Sequence, residues 1–178
     1  FFANTAVSGK GGGLRFADST PSLTEAPHML HNVTLSGNIA ASGGALHLSG
    51  VGAAELSNSI IEEGNGAGGT CGGDKPLHLT SNLQFPGTNC GNMPTADPQL
   101  GNPAFNGGDL SSLLTQKPNP SSPAVDAGDN TVCASALVGN EDQRGETRPQ
   151  DGNGDAVATC DIGAIETDGV AAGFSSIP

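Results

Sequence analysis

Large apolar residues along this chain come in short alternating bursts. Leu14 and Phe16, Val33 and Leu35, Leu46 and Leu48, and Leu77 and Leu79 each flank a single intervening residue. That spacing of two is the signature of a strand with one face buried, because successive side chains of an extended backbone point to opposite sides. Each burst spans only three to five residues before Gly, Asn or Ser interrupts it. The same residues, with Pro and Thr, break every window before a 3.6-residue stripe runs three turns, which excludes a helical bundle. One short helical turn is predicted at Leu110-Ser111-Ser112-Leu113-Leu114.

The bursts repeat. Gly11-Gly12-Gly13-Leu14-Arg15-Phe16 returns as Gly43-Gly44-Ala45-Leu46-His47-Leu48, and Asn4-Thr5-Ala6 returns as Asn38-Ile39-Ala40. A second echo, 26 residues apart, pairs the segment from Asn32 to Gly37 with the one from Asn58 to Gly64. The periods differ, so the repeat is irregular. Strands this short cannot pack a sandwich alone, but stacked on equivalent neighbours they share one continuous core. Gly and Asn then occupy the tight corners where φ is positive.

Composition makes this reading necessary. Leu, Ile, Val and Phe number 35 of 178 residues, with 28 Gly, 12 Pro and a net charge of −12, values at which disorder is the competing explanation. A solenoid resolves the conflict because it needs only a narrow apolar stripe per coil. With 18 acidic against 6 basic residues the chain lacks the cationic footprint of a nucleic-acid binder. No apolar run approaches the length of a membrane helix. The stretch starting at Phe1 lacks the charged start and cleavage motif of a signal peptide, so the chain is expected to begin inside a longer mature protein.

Four cysteines, none in a C-x-x-C pair, argue against a zinc knuckle. Two disulfides are expected, Cys71 with Cys90 and Cys133 with Cys160, each closing a stretch with few other means of holding itself. They imply an extracellular or cell-surface location. Pro86, Pro94, Pro98, Pro103, Pro118, Pro120 and Pro123 force extended backbone between the two halves.

Two sets of residues carry a resemblance. Phe1-Phe2-Ala3-Asn4 with Gly12-Gly13-Leu14, and Asn38 with Gly43-Gly44-Ala45-Leu46, resemble the F-x-x-N and G-G-A-[ILV] repeats of right-handed parallel β-helices. Such repeats occur in bacterial polymorphic outer-membrane proteins and the wider pectin-lyase-like group. The series Ser122-Pro123-Ala124-Val125-Asp126-Ala127-Gly128, Asp142-Gln143-Arg144-Gly145, Arg148-Pro149 and Cys160-Asp161-Ile162-Gly163-Ala164-Ile165-Glu166 resembles the C-terminal region of choice-of-anchor Q domain proteins. In that family a β-helix ends in such a module before a variable surface anchor. The resemblance implies an all-β fold: β-helix coils over residues 1–92 with an extruded Cys71–Cys90 loop, a cap module over 93–166, and a tail over 167–178 leading toward an anchor. What the resemblance implies is architecture and a surface location; the role expected from these is structural or adhesive, with glycans, host-surface molecules or further copies of the chain as partners.

Candidate chemistry is sparse. Arg144 and Arg148 are expected to pair bidentately with Asp126, Asp142, Asp161 or Glu166 and hold the cap. Asp151-Gly152-Asn153-Gly154-Asp155 opens like a calcium loop, with Asp161 or Glu166 as a late ligand, although Ala156 and Ile162 stand where an EF-hand needs Gly and Glu. His28, His31, His47 and His78 are scattered; His47 and His78, each between two leucines, should point outward and approach one another if the coils stack. A polysaccharide lyase or hydrolase, or a sugar-binding module on the same scaffold, is the alternative function. The enzyme would draw on Asp18, Glu25, Glu55, Glu62 and Glu63 with Lys10 and Arg15, in a chain without Trp or Tyr to platform a sugar.

Overall fold

Short alternating segments become strands only where a neighbour supplies the other half of the hydrogen bonds, and here every strand finds a parallel one. The computed structural model describes residues 1–17, 28–50, 54–63, 68–74, 77–108 and 113–169. Ten strands come first: β1 (Thr5–Lys10), β2 (Leu14–Ala17), β3 (His28–His31), β4 (Thr34–Ser42), β5 (Leu46–Ser49), β6 (Ala54–Ser57), β7 (Ile60–Glu63), β8 (Cys71–Gly73), β9 (Leu77–Thr80) and β10 (Leu83–Phe85). They form three parallel sheets, ordered β1-β4-β7-β10, β2-β5-β8 and β3-β6-β9. The chain therefore visits the three sheets in rotation, adding one strand to each per circuit.

The register reproduces both sequence echoes. Leu14 pairs with Leu46 and Phe16 with Leu48, while Thr34 pairs with Ile60, 26 residues on. Leu30, Leu35, Leu46, Leu48, Leu56 and Ile61 bury their side chains together as the main core, with Leu14 and Phe16 packed against it. Asn32, Asn58 and Ser81 turn corresponding corners at φ of 49°, 48° and 45°. At Gly43 a Cβ would stand 2.3 Å from the Leu46 carbonyl oxygen and 2.7 Å from the Gly72 nitrogen, so the corner closes only on glycine.

The Cys71–Cys90 disulfide forms, but the segment between the two cysteines is not extruded. It carries β9 and β10 into two of the sheets, and Cys71, Cys90 and Met93 join the main core. The reason lies at Gln84, which continues the buried row of Leu35 and Ile61. Its amide donates to the carbonyls of Met93 (2.8 Å) and Gly91 (3.2 Å) and accepts from the Cys90 N–H (3.0 Å). One buried side chain thus satisfies the backbone of the segment that folds back over the core.

Beyond β10 the structure is loop-rich, with isolated bridges and one helical turn, α1 (Asn130–Cys133), capped by the Asp129 side chain on the Thr131 N–H. Most of the helical turn expected at residues 110–114 lies outside the described residues. The segment after β10 pairs with it through the parallel Gln84–Thr95 bridge, and the apolar contact of the C-terminal module lies on the outer side of the sheet. Ile60 and Leu83 alternate with Ile61 and Gln84, so they leave the sheet on the opposite side from the main core. There they pack with Ala124 and Ile162 in a second core. The physical reason is the Ile60-Ile61 pair, which gives β7 an apolar residue on both faces.

Corner residues hold this docking. Asn58 Nδ2 donates to the Asp129 carbonyl at 3.0 Å, and the Asp129 N–H donates to Asn58 Oδ1 at 2.8 Å. The Gly163 N–H donates to the Asn58 carbonyl (2.7 Å) and the Ala164 N–H to Thr34 Oγ1 (3.0 Å). The Cys133–Cys160 disulfide ties α1 to the segment that makes these contacts. No helix among the described residues is long and apolar enough to cross a membrane.

Candidate functional site

The C-terminal module is built around buried charge. Arg144, Arg148, Asp142, Asp161 and Glu166 are all at most 9% exposed. Arg144 pairs with Asp142 through Nε and Nη2, both at 2.8 Å, and donates to the Asn106 and Glu166 carbonyls. Arg148 lies 3.2 Å from Glu166 Oε2 and donates to the carbonyls of Asp161 (3.1 Å) and Gly163 (2.9 Å).

Two of the four expected acidic partners do other work. Asp161 accepts the Asp126 and Thr167 N–H groups, and Asp126 accepts those of Gly152 and Asn153. Neither forms an ion pair with an arginine; a loop without ladders needs side-chain acceptors for its own backbone, and these carboxylates provide them. Glu166 likewise accepts from the Gln150 and Asp161 N–H groups. Burial outweighs the nearby Arg148 and pushes the Glu166 carboxyl up to about 7, and burial also raises Asp161.

The expected calcium ligands divide. Asp151 accepts the N–H groups of Gly154, Asp155 and Ala156, Asn153 accepts that of Asp155, and Asp155 accepts that of Val157. Asp161 is committed to Asp126 and Thr167 instead of this loop. Among the described residues no group of three His, Cys, Asp or Glu side chains is placed to hold a metal. The side chains of Asp151, Asn153 and Asp155 thus organise the backbone of their own turn.

The histidines also depart from expectation. His47 pairs in register with Arg15 and Gly72, in β2-β5-β8, whereas His78 pairs with Leu56 in β3-β6-β9, so the two lie in different sheets. His47 leaves the sheet on the side opposite Leu46 and Leu48, as expected, yet it is only 3% exposed. Its ring lies across β8: a Cβ on Gly72 would come within 2.7 Å of Nδ1. His28 stacks on Phe16 with ring centroids 4.5 Å apart.

The carboxylates of the enzymatic alternative are dispersed. Glu55 is on β6 and Glu62 on β7, in different sheets. Glu62 accepts the Ser36 hydroxyl, and its burial raises its pKa. Asp18 and Glu25 lie outside the described residues. The seam between the strands and the C-terminal module holds a cleft of about 610 Å³ whose walls include Phe1, Phe2, His31, Leu137, Gln143 and Arg148. Both ring nitrogens of His31 and Nε of Arg148 are buried there without partners.

Sequence reasoning missed Gln84 and the docking role of the two corner asparagines, Asn58 on Asp129 and Asn32, whose Nδ2 donates to the Asp161 and Gly163 carbonyls. The asparagines were visible as repeated corner residues, but their partners lie 71 or more residues away. No family model, curated protein or solved structure matches the chain.

Proposed function

We propose that this chain is part of an extracellular, non-catalytic surface protein, a right-handed parallel β-helix with a module of the choice-of-anchor Q kind, serving as a rigid stalk or adhesive passenger. The observation that carries the reading is the rotation of ten strands through three parallel sheets, with Asn and Gly corners in register. A three-sided coil with one strand per side produces that order, and it extends indefinitely by adding circuits, which suits a stalk. Two disulfides agree with an oxidising environment. A C-terminal module clamped by buried ion pairs suits a part that transmits load toward an anchor. Incubation with pectin, alginate and neutral polysaccharides, with and without calcium, tests the absence of catalysis: no unsaturated or reducing ends should be released, and steady turnover would overturn the reading.

A sugar-binding module on the same scaffold is the second reading. The seam cleft favours it, since its size is in the range of small-ligand sites and amide and aromatic side chains line it together.

A further inference from the structure

We propose that the outer face of the β2-β5-β8 sheet carries an oxyanion-binding site, in which Lys10, Arg15 and His47 together take one carboxylate or sulfate group. The proposal is independent of whether the protein is a stalk or a sugar binder.

Placement comes from the strand register. Arg15 and His47 are direct partners across β2 and β5, so both project from the face opposite Leu14, Leu46 and the main core. Lys10 is the register partner of Ser42, and Ser42 Oγ lies 3.3 Å from His47 Nδ1. With Gly72 next in the row, the His47 ring occupies the space over Gly72 and Gly73 of β8 that side chains there would fill.

The hydrogen bonding is incomplete in one direction. Ser42 Oγ and Nδ1 share one hydrogen bond whose direction follows the ring tautomer; in the proposed tautomer the hydroxyl donates, the ring hydrogen sits on Nε2, and Nε2 is buried without a protein partner. A buried N–H is stabilised by an acceptor, and an anion oxygen brought to the ring by Lys10 and Arg15 would supply one.

Charge identifies the kind of oxygen. The chain has six Lys and Arg against eighteen acids, and cations in such a chain should find carboxylates. Arg144 and Arg148 do so in the module, as does Lys117 with Asp168. Lys75 lies outside the described residues. Lys10 and Arg15 have no ion pair among the described residues, and both are exposed, with arms free to close on an anion at the ring. Among the described residues Asp74 is the acid facing His47, so two cations and one carboxylate, itself accepting the Gly50 N–H, act on the ring. Burial, Lys10 and Arg15 together hold the His47 pKa below its ordinary value against the opposing charge of Asp74.

The test is a titration of the whole chain with sodium sulfate, and separately with sodium acetate, followed by the His47 imidazole NMR signals. Sodium chloride at matched ionic strength is the control. At least one of the two anions should move the His47 signals saturably and raise the His47 pKa. Lys10→Ala and Arg15→Ala should each weaken binding about two- to fivefold, as expected for exposed charge contacts, and the double variant about 4- to 25-fold. Lys117→Ala should change nothing. Both substituted side chains are exposed, and circular dichroism confirms that the variants fold. Three results would overturn the proposal: no saturable shift with either anion, an equal shift with chloride, or full binding by the double variant.

Discussion

Asn58 and Asp129, 71 residues apart, hold one another by a reciprocal pair of hydrogen bonds, amide to carbonyl and N–H to amide oxygen. Asn58 occupies a left-handed corner, which glycine also tolerates. Asn58→Gly therefore removes the clamp without straining the turn. We expect a loss of about 2 kcal/mol, two hydrogen bonds' worth, in denaturant unfolding. A loss below roughly 0.5 kcal/mol, the range of neutral surface changes, would show that the corner contributes nothing to docking.

Glu166 makes stability depend on pH. Its folded pKa, about 7, is raised above the ordinary 4.5 by burial, so the folded state holds the proton more tightly than the unfolded chain. The resulting stability is fully present below the unfolded pKa and is lost as pH rises through about 7. The protein should unfold at lower denaturant concentration at pH 8 than at pH 5, with at most about 3 kcal/mol attributable to this group. Glu166→Gln should flatten that slope; an unchanged slope would assign the pH dependence to another group.

Much of the strand pattern was legible because it is local. Leu14–Phe16, Val33–Leu35 and Leu46–Leu48 announce themselves by alternation, and the echoes between them match the observed register. β1 was not legible as a strand, since its six residues, Thr5–Lys10, hold a single large apolar side chain, Val7, which points into solvent at 86% exposure. Its pairing comes from β4. His47 reads as a surface residue because nothing nearby in sequence shows that Gly72 clears a bed for its ring. The lateral docking of the module depends on Ile60 and Ile61 facing opposite ways, and a doublet of isoleucines does not by itself state what covers each.

Among the described residues β1, β2 and β3 are edges at one end of the three sheets, and β8 and β9 are edges at the other. β1, β2 and β3 each pair on one side only, and Val7 and Met29 are exposed there, Met29 at 49%. Unpaired parallel edges invite further strands. Sedimentation velocity should show association that grows with concentration, and Val7→Lys, a charge on the edge strand, should suppress it. Monomers at all concentrations in the unsubstituted chain would remove self-stacking from the proposed partners.

The Cys133–Cys160 bond should matter more to the module than to the strands. It spans 27 positions in sequence, and within that span Leu137 and Val157 are exposed, leaving little apolar burial to offset the entropy of ordering it. Closing a loop of this length stabilises by roughly 3 kcal/mol in the chain-entropy model. Asn58 Nδ2 also lies 3.4 Å from Cys133 Sγ, so the bond fixes the partner of the corner clamp. Replacing both cysteines with alanine should release the module first. Arg144, 5% exposed in the intact protein, is the sensor: trypsin should cut there early, whereas Arg148 is protected by the following Pro149 even when exposed. β4 to β7, held by the main core and their own ladders, should survive as a resistant fragment. Simultaneous loss of both regions would mean that module and strands unfold as one cooperative unit, and that the second core, not the disulfide, sets the module's stability.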